Sequence, residues 1–378
     1  MIELAAQIIF WGGTAFIFYS YAGYPIILYL LPKSDCRETV APPGPPGLPP
    51  VSIIIPVHNE ERVIREKIEN TLALDYPENR REIIIVSDGS TDQTSPIARE
   101  FNGRIQFYDL LERNGKAAAL NVGLRMAAPT PGGIIVFSDA SIMLARNALM
   151  KIVRKFADVR IGCISGEDKI EGGGNEGLYG RYEMFIRNLE SRSGSIVGAS
   201  GCFYAQRREL CKPFPPGMAP DFFSVLATVS RGFRAVTEPS AVGFMKEPGE
   251  ARASFERKVR TLLRGITTLM HFKKVLNPLR FGLFSFRVIS HKLMRWSAGI
   301  VLVLIFASSL VLSGLPLYRA ALFLQIVFYT CAALGLLGIS GAAFRIPLFF
   351  IMINVSALIA WFKYFTGVRQ ELWEPSKR

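Results

Sequence analysis

Between Ile8 and Leu31 the chain carries no charged side chain, and the run is long enough to cross a hydrocarbon layer of about 30 Å. Its backbone must then satisfy its own hydrogen bonds, which makes it a helix. Three more apolar stretches follow near the other end, Ser297 to Leu317, Ala320 to Ala343 and Ile346 to Phe362, broken by Pro316, Arg319, Arg345 and Pro347. The last is the shortest and reads either as a span or as a buried or re-entrant segment. No basic leader with a small-residue cleavage site precedes the first stretch, so it reads as an uncleaved anchor. These ends raise the mean hydropathy to +0.27 and the apolar content to 50%, too greasy for an ordinary soluble enzyme.

The formal net charge is +13. No basic arm or nucleic-acid module carries it, which argues against nucleic acid as a partner. Arg252, Arg257, Lys258, Arg260, Arg264, Lys273, Lys274, Arg280, Arg287, Lys292 and Arg295 instead lead straight into the apolar tail. There they suit the cytoplasmic face of an inner membrane, where anionic headgroups attract them. The 5 cysteines are scattered without CxxC spacing, which favours a reducing compartment and argues against a zinc site or a disulfide frame.

Ala41-Pro-Pro-Gly-Pro-Pro-Gly-Leu-Pro-Pro50 can be neither helix nor central strand and reads as an extended tether. Beyond it, strand and helix alternate. Val51 to Val57 is a buried strand ending in His58-Asn59-Glu60, and Glu61 to Leu74 has helical spacing. Glu82 to Val86 is a second strand, and its tail Ser87-Asp88-Gly89-Ser90-Thr91-Asp92 forms a turn suited to an anion or a nucleoside. A short strand near Ile105 to Tyr108 precedes Gly115-Lys116 and an alanine-rich helix. Ile134 to Ser138 is another buried strand, delivering Asp139 at its carboxyl end, where open parallel sheets bind ligands. This order predicts an α/β, Rossmann-like, mostly parallel sheet. Neither GxGxxG nor GxxxxGK[ST] is present, so dinucleotide and P-loop readings are weak.

The second half loses that rhythm. Gly172-Gly-Gly174 marks a mobile loop, and Leu178 to Leu189 is helical. Val197-Gly-Ala-Ser200-Gly201 is too glycine-rich for a plain strand, so its backbone is expected close to a ligand. Asp221 heads an apolar helix after Pro220. Ala253 to Lys274 is a basic helical stretch, and Leu279 to Trp296 reads as amphipathic and suited to lying along headgroups. The expected plan is an anchor over 1–32, a linker over 33–50, an α/β domain over 51–252, interface helices over 253–296, membrane helices over 297–365 and a polar tail over 366–378.

A reaction that joins these pieces is displacement of a diphosphate from a sugar carbon. The leaving polyanion needs a metal and cations, and the attacking hydroxyl needs a base of carboxylate type. Asp139 with Ser141 would hold Mg2+ or Mn2+ through hard oxygen ligation completed by substrate. Asp221 would take the acceptor's proton, and Arg260, with Arg257 and Arg264 one turn to either side, would meet the departing charge. Each has a plainer reading: Asp139 and Asp221 also serve as helix caps, and the arginines also suit headgroup contact.

As a set, these motifs resemble the membrane-embedded family 2 glycosyltransferases, the group of cellulose, hyaluronan and poly-N-acetylglucosamine synthases. The resemblance extends over Val51 to Arg378 in organisation. Pro56-Val-His58-Asn59-Glu60 and Asp88-Gly89-Ser90 match the motifs that grip the uridine there, and Gly115-Lys116-Ala-Ala-Ala-Leu120-Asn121 matches a further donor-site segment. Asp139-Ala-Ser141 corresponds to the metal-binding Asp-x-Asp, Pro220-Asp221 to the catalytic-base motif, and Arg257-Lys-Val-Arg260-Thr261 to Gln-x-x-Arg-Trp. Ser138, Ser200 and Gly201 are expected beside the donor. The resemblance implies a GT-A fold facing the cytoplasm, inversion at the anomeric carbon, a UDP-sugar donor, a glycan or lipid acceptor, contact with membrane lipids, and a homo-oligomer or an export partner.

Three residues depart from the pattern. Ser141 replaces the second acid of the metal motif, Pro220 the first acid of the base motif, and Thr261 the tryptophan; pairing Arg264-Gly265 with Arg-Trp is the alternative register. Polymer synthesis, single transfer to a lipid and a silent nucleotide-sugar sensor all stay open at this level. So does the side of the tail: an anchor followed by three spans would place it outside, yet Arg369, Lys377 and Arg378 favour the cytoplasm.

Overall fold

The computed structural model describes residues 1–33, 47–171, 175–246 and 251–369. Most of the proline-rich tether, the Gly172–Gly174 loop and the tail beyond Arg369 lie outside the described residues. The chain divides into two compact units, one of residues 1–31, 250–266 and 276–368, the other of 32–249, 267–275 and 369–378.

In the first unit, α1 (Ile2–Phe18) and α2 (Tyr24–Leu30) form one apolar helix that starts nearer the N-terminus than the charge pattern suggested.

The second unit is built on strands β1 (Val51–Val57), β2 (Arg81–Asp88), β3 (Gln106–Leu110), β4 (Ile134–Ser138), β5 (Met143–Leu144), β6 (Ile161–Glu171), β7 (Phe203–Arg207) and β8 (Arg234–Lys246). They form one sheet in the order β3-β2-β1-β4-β7-β6-β8-β5. The β3-β2-β1-β4 half is parallel throughout. Beyond it β7 runs antiparallel to both β4 and β6, and β8 is parallel to β6. The expected mostly parallel sheet is thus present but mixed in its second half. Every residue of β1 and β4 is buried, as strands covered by helices on both faces require. Helices α3 (Ile64–Leu72), α4 (Thr94–Arg99), α5 (Lys116–Met126), α6 (Ala148–Arg154), α7 (Asn175–Ser193) and α8 (Pro220–Ser230) supply that cover.

Close packing fixes where α5 starts. A Cβ on Gly123 would meet Ile54 Cγ2 at 2.4 Å, so the helix lies against β1 at a distance only glycine permits. Its first residue, Lys116, is thereby held over the carboxyl ends of β1 and β4.

α9 (Ala251–His271) contributes to both units. In the membrane unit, α10 (Pro278–Phe281) and α11 (Leu283–Val288) precede α12 (Arg295–Val311), α13 (Pro316–Leu336) and α14 (Ala342–Phe365). Asn277 caps α10, its Oδ1 accepting from Leu279 N at 2.9 Å. The stretch expected to form a separate amphipathic helix up to Trp296 does not end there. Residues from Leu283 run on into α12 as one helix to Val311, so the 296/297 boundary falls inside a continuous element. Four helical segments, Ile2–Leu30, Leu283–Val311, Pro316–Leu336 and Ala342–Phe365, are long and apolar enough to cross a membrane. Trp11 Nε1 donates to Tyr318 Oη at 3.2 Å, and Tyr19 and Ser290 hydroxyls meet at 2.7 Å, joining the Ile2–Leu30 helix to α13 and to the Leu283–Val311 helix.

Candidate functional site

The carboxyl ends of β1, β2 and β4 lie side by side and deliver His58, Asp88 and Asp139 to one edge. The first two loops lock together. Thr91 N donates to Asn59 Oδ1 at 2.8 Å, Asn59 N to Ser90 Oγ at 3.2 Å and Glu60 N to Thr94 Oγ1 at 2.8 Å. Asn59 takes φ 52°, the left-handed conformation that asparagine tolerates. Gly89 also sits at positive φ, 62°, and a Cβ there would lie 2.8 Å from Arg113 N.

Asp88 is fully buried, and its two carboxylate oxygens accept from Asn114 N at 2.7 Å and Gly115 N at 2.8 Å. His58 is buried with Nδ1 2.7 Å from Asp88 O. Asp88 thus braces the loop that leads into α5, and His58 ties the end of β1 to the end of β2. Pro56, Glu60, Gly89 and Ser90 line the same end of the sheet.

Lys116 is the hub. Its Nζ lies 2.6 Å from Asp139 Oδ1 and donates to Gly201 O at 3.3 Å. Burial works against its charge, but the Asp139 carboxylate, and Asp221 beyond it, outweigh that and raise its pKa. Asp139 N donates to Cys202 O at 2.9 Å, tying the loop after β4 to the glycine-rich segment. Asp221 stands in the first turn of α8, where the helix dipole favours a carboxylate. A Cβ on Gly201 would be 4.0 Å from Asp221 Oδ2. Pro56, Lys116, Ser138, Asp139, Gly201 and Asp221 therefore line one cleft, and the two acids expected to act together do open onto a shared space.

Two contributors escaped the sequence reading. Lys67 on α3 is fully buried and donates to Ser138 Oγ at 2.8 Å and Ile142 O at 2.6 Å, gripping the turn that carries Asp139 and Ser141. Burial lowers its pKa to about 7, against the pull of Asp139. Its signal was a lysine on the apolar stripe formed by Ile64 and Ile68. Asp168 on β6 accepts the Ser200 hydroxyl, at 2.7 and 2.6 Å from its two oxygens, while Cys202 N and Phe203 N donate to Ser200 Oγ at 3.0 Å each. Burial raises Asp168 to about 6, opposed by the Ser200 bond and Arg187 and helped by Asp139 and Asp221. Ser200 thus pins the glycine-rich loop, and Gly201 is the part of it that faces the cleft.

The donor set suits a hard divalent cation. Asp139 offers a carboxylate and Ser141 a hydroxyl, and among the described residues no group of three His, Cys, Asp or Glu side chains converges. A Mg2+ or Mn2+ ion would be held by these two residues with substrate phosphates and water completing its shell, as such ions often are. Arg257, Arg260 and Arg264 follow one another at about one turn on α9 in the membrane unit, opposite the buried Val259, Leu263 and Ile266.

Comparison with known proteins gives this arrangement a context. Residues 52–213 match the family described as Glycosyl transferase family 2. It is 26% identical over 215 residues to the poly-beta-1,6-N-acetyl-D-glucosamine synthase of Staphylococcus epidermidis, covering 54% of this chain and 48% of that protein. It is 35% identical over 231 residues to the probable glycosyltransferase YdaM of Bacillus subtilis, covering 56% and 54%. The chain thus spans about half the length of the curated relatives it matches. Among solved structures, a mannosyltransferase from Pyrobaculum calidifontis, in complex with GDP-Man and Mn2+, shares the fold. It has a TM-score of 0.70 and 24% identity, over 97% of this chain and 98% of that one.

Proposed function

We propose that the protein is an inverting, metal-dependent glycosyltransferase of the inner membrane that uses a UDP-sugar to build a cell-surface polysaccharide. The observation that carries this reading is the single cleft shared by Asp139, Lys116, Gly201 and Asp221. Asp139 and Ser141 would hold the cation, which when bound would neutralise charge on the donor diphosphate. Lys116, paired with Asp139 at 2.6 Å, would supply those phosphates with a second positive charge. Asp221 accepts the proton of the acceptor hydroxyl as it attacks the anomeric carbon from the face opposite the diphosphate. Arg257, Arg260 and Arg264 meet the charge that develops on the leaving group.

The poly-N-acetylglucosamine synthases among the relatives support a polymer product. Thr261, where an aromatic platform for a growing chain would stand, favours a second reading, single transfer to a lipid acceptor. The test is a screen of UDP-sugars, with GDP-mannose added because the mannosyltransferase of like fold binds it, on purified protein with Mn2+ and product sizing. A ladder supports the synthase, one shifted lipid species supports single transfer, and failure to bind or release any nucleotide rejects both. Asp221→Asn should lower turnover by roughly 100- to 10,000-fold with donor affinity unchanged; unaltered turnover would remove Asp221 from the mechanism.

A further inference from the structure

We propose that α14, although long and apolar enough to span, lies along one leaflet on the side of α9 instead of crossing, so that the chain crosses the membrane three times. Leu312 and Tyr318 pack with Ala6, Phe10 and Ile305 at one end of the helices. Arg295, its guanidinium 5.5 Å from the ring of Tyr21, marks the other end, where arginine and aromatic residues settle at a headgroup boundary. Gln325 Nε2 donates to Ser309 Oγ at 2.8 Å and Phe306 lies 5.7 Å from Tyr329. That antiparallel register brings Gly335 within about a turn of the level of Trp296.

α14 begins at that level. A Cβ on Gly335 would be 2.8 Å from Phe344 O. A helix crossing from there would carry Trp361, 17 residues on, about 26 Å away at 1.5 Å per residue, to the level of Tyr318. Trp361 Nε1 instead donates to Trp296 O at 3.1 Å. The contacts between these two points reach no deeper than the middle of α13. Lys258 Nζ lies 5.2 Å over the ring of Phe349, and Phe350 lies 5.4 Å from Tyr21 while also reaching Phe328 at 5.8 Å. A Cβ on Gly299, one turn beyond Trp296, would lie 2.7 Å from Asn354 O. An ammonium such as that of Lys258 stays at the surface, so the middle of α14 is at the surface too. Arg345 and Lys363, near its two ends, then reach one headgroup layer and not two. The partner of α14 is a single leaflet, and the helix ends at Phe365 on the side of α9, the side that the charge bias of the tail prefers.

Sidedness tests this on sealed membrane vesicles, with a membrane-impermeant maleimide and single cysteines in a chain whose five native cysteines are replaced. Thr366→Cys and Lys258→Cys should label from one side and Ser313→Cys from the other. Labelling of Thr366→Cys together with Ser313→Cys overturns the proposal. Should the cysteine-free chain not fold, protease access to an epitope at the C-terminus of the otherwise native chain reads the same question with the same two outcomes. No turnover is needed, so the result is independent of the sugar-transfer reading.

Discussion

Lys67→Met isolates the least expected feature of the site. Methionine keeps the length and the apolar body of the side chain and removes the ammonium from a fully buried position. Two opposing effects follow. The variant gives up hydrogen bonds to Ser138 and Ile142, each worth about 0.5–1.5 kcal/mol for the neutral amine that prevails above pH 7, and it is relieved of a group that must shed its proton to be buried. Their pH dependence separates them. Burial brings the folded pKa down to about 7 from 10.5, so between those values the unfolded chain binds more protons and stability rises with pH. The contribution is complete above pH 10.5 and is lost as pH falls to about 7. Each pH unit changes the folding equilibrium by at most about tenfold, so wild type should gain roughly 2–3 kcal/mol on the variant between pH 7.5 and 9.5. At about 2–4 °C per kcal/mol, thermal melts of both proteins in one detergent at pH 7.5, 8.5 and 9.5 should diverge by roughly 4–12 °C. The variant should also show a raised KM for the donor, because the turn bearing Asp139 and Ser141 loses its grip. A melting difference that stays flat across that range refutes the reasoning: Lys67 would then be protonated throughout.

Asp168→Asn should remove a pH dependence of the opposite sign. Burial raises the Asp168 carboxyl to about 6 from 3.8, so wild-type stability falls by up to roughly 3 kcal/mol as pH rises between those values; melts at pH 4 and 6 should show that fall in wild type and a smaller one in the variant. Gly89→Ala places a Cβ 2.8 Å from Arg113 N at φ 62° and should cost about 1–3 kcal/mol, with a raised donor KM measured by initial rates because the Asn114–Gly115 loop is pushed away from Asp88.

What could be read from the chain, and what could not, follows from the range of the interactions involved. β1, β2 and β4 declare themselves because a strand buried on both faces must be apolar throughout, and the polar residues at their ends are then forced to one edge of the sheet. The convergence of Asp139 and Asp221 is of another kind. It depends on β7 inserting antiparallel beside β4, which brings Gly201 to Lys116, and no local pattern encodes that pairing: β6 and β8, with glycines at 162, 166 and 243 that let Leu210, Phe203 and Ile142 approach within 2.4 Å of where a Cβ would be, are shaped by contacts distant in sequence. The bonds of Asp88 and His58 are illegible for a similar reason, since a motif specifies which residues gather but not that the Asp88 carboxylate accepts two backbone amides or that His58 meets a backbone carbonyl. Lys67 shows the converse. A lysine on the apolar stripe of α3 is a local anomaly, and a buried ammonium is tolerated only where oxygens wait for it. Such an anomaly is therefore a pointer to the polar site behind the helix, and here the oxygens it finds belong to the turn between Ser138 and Ile142.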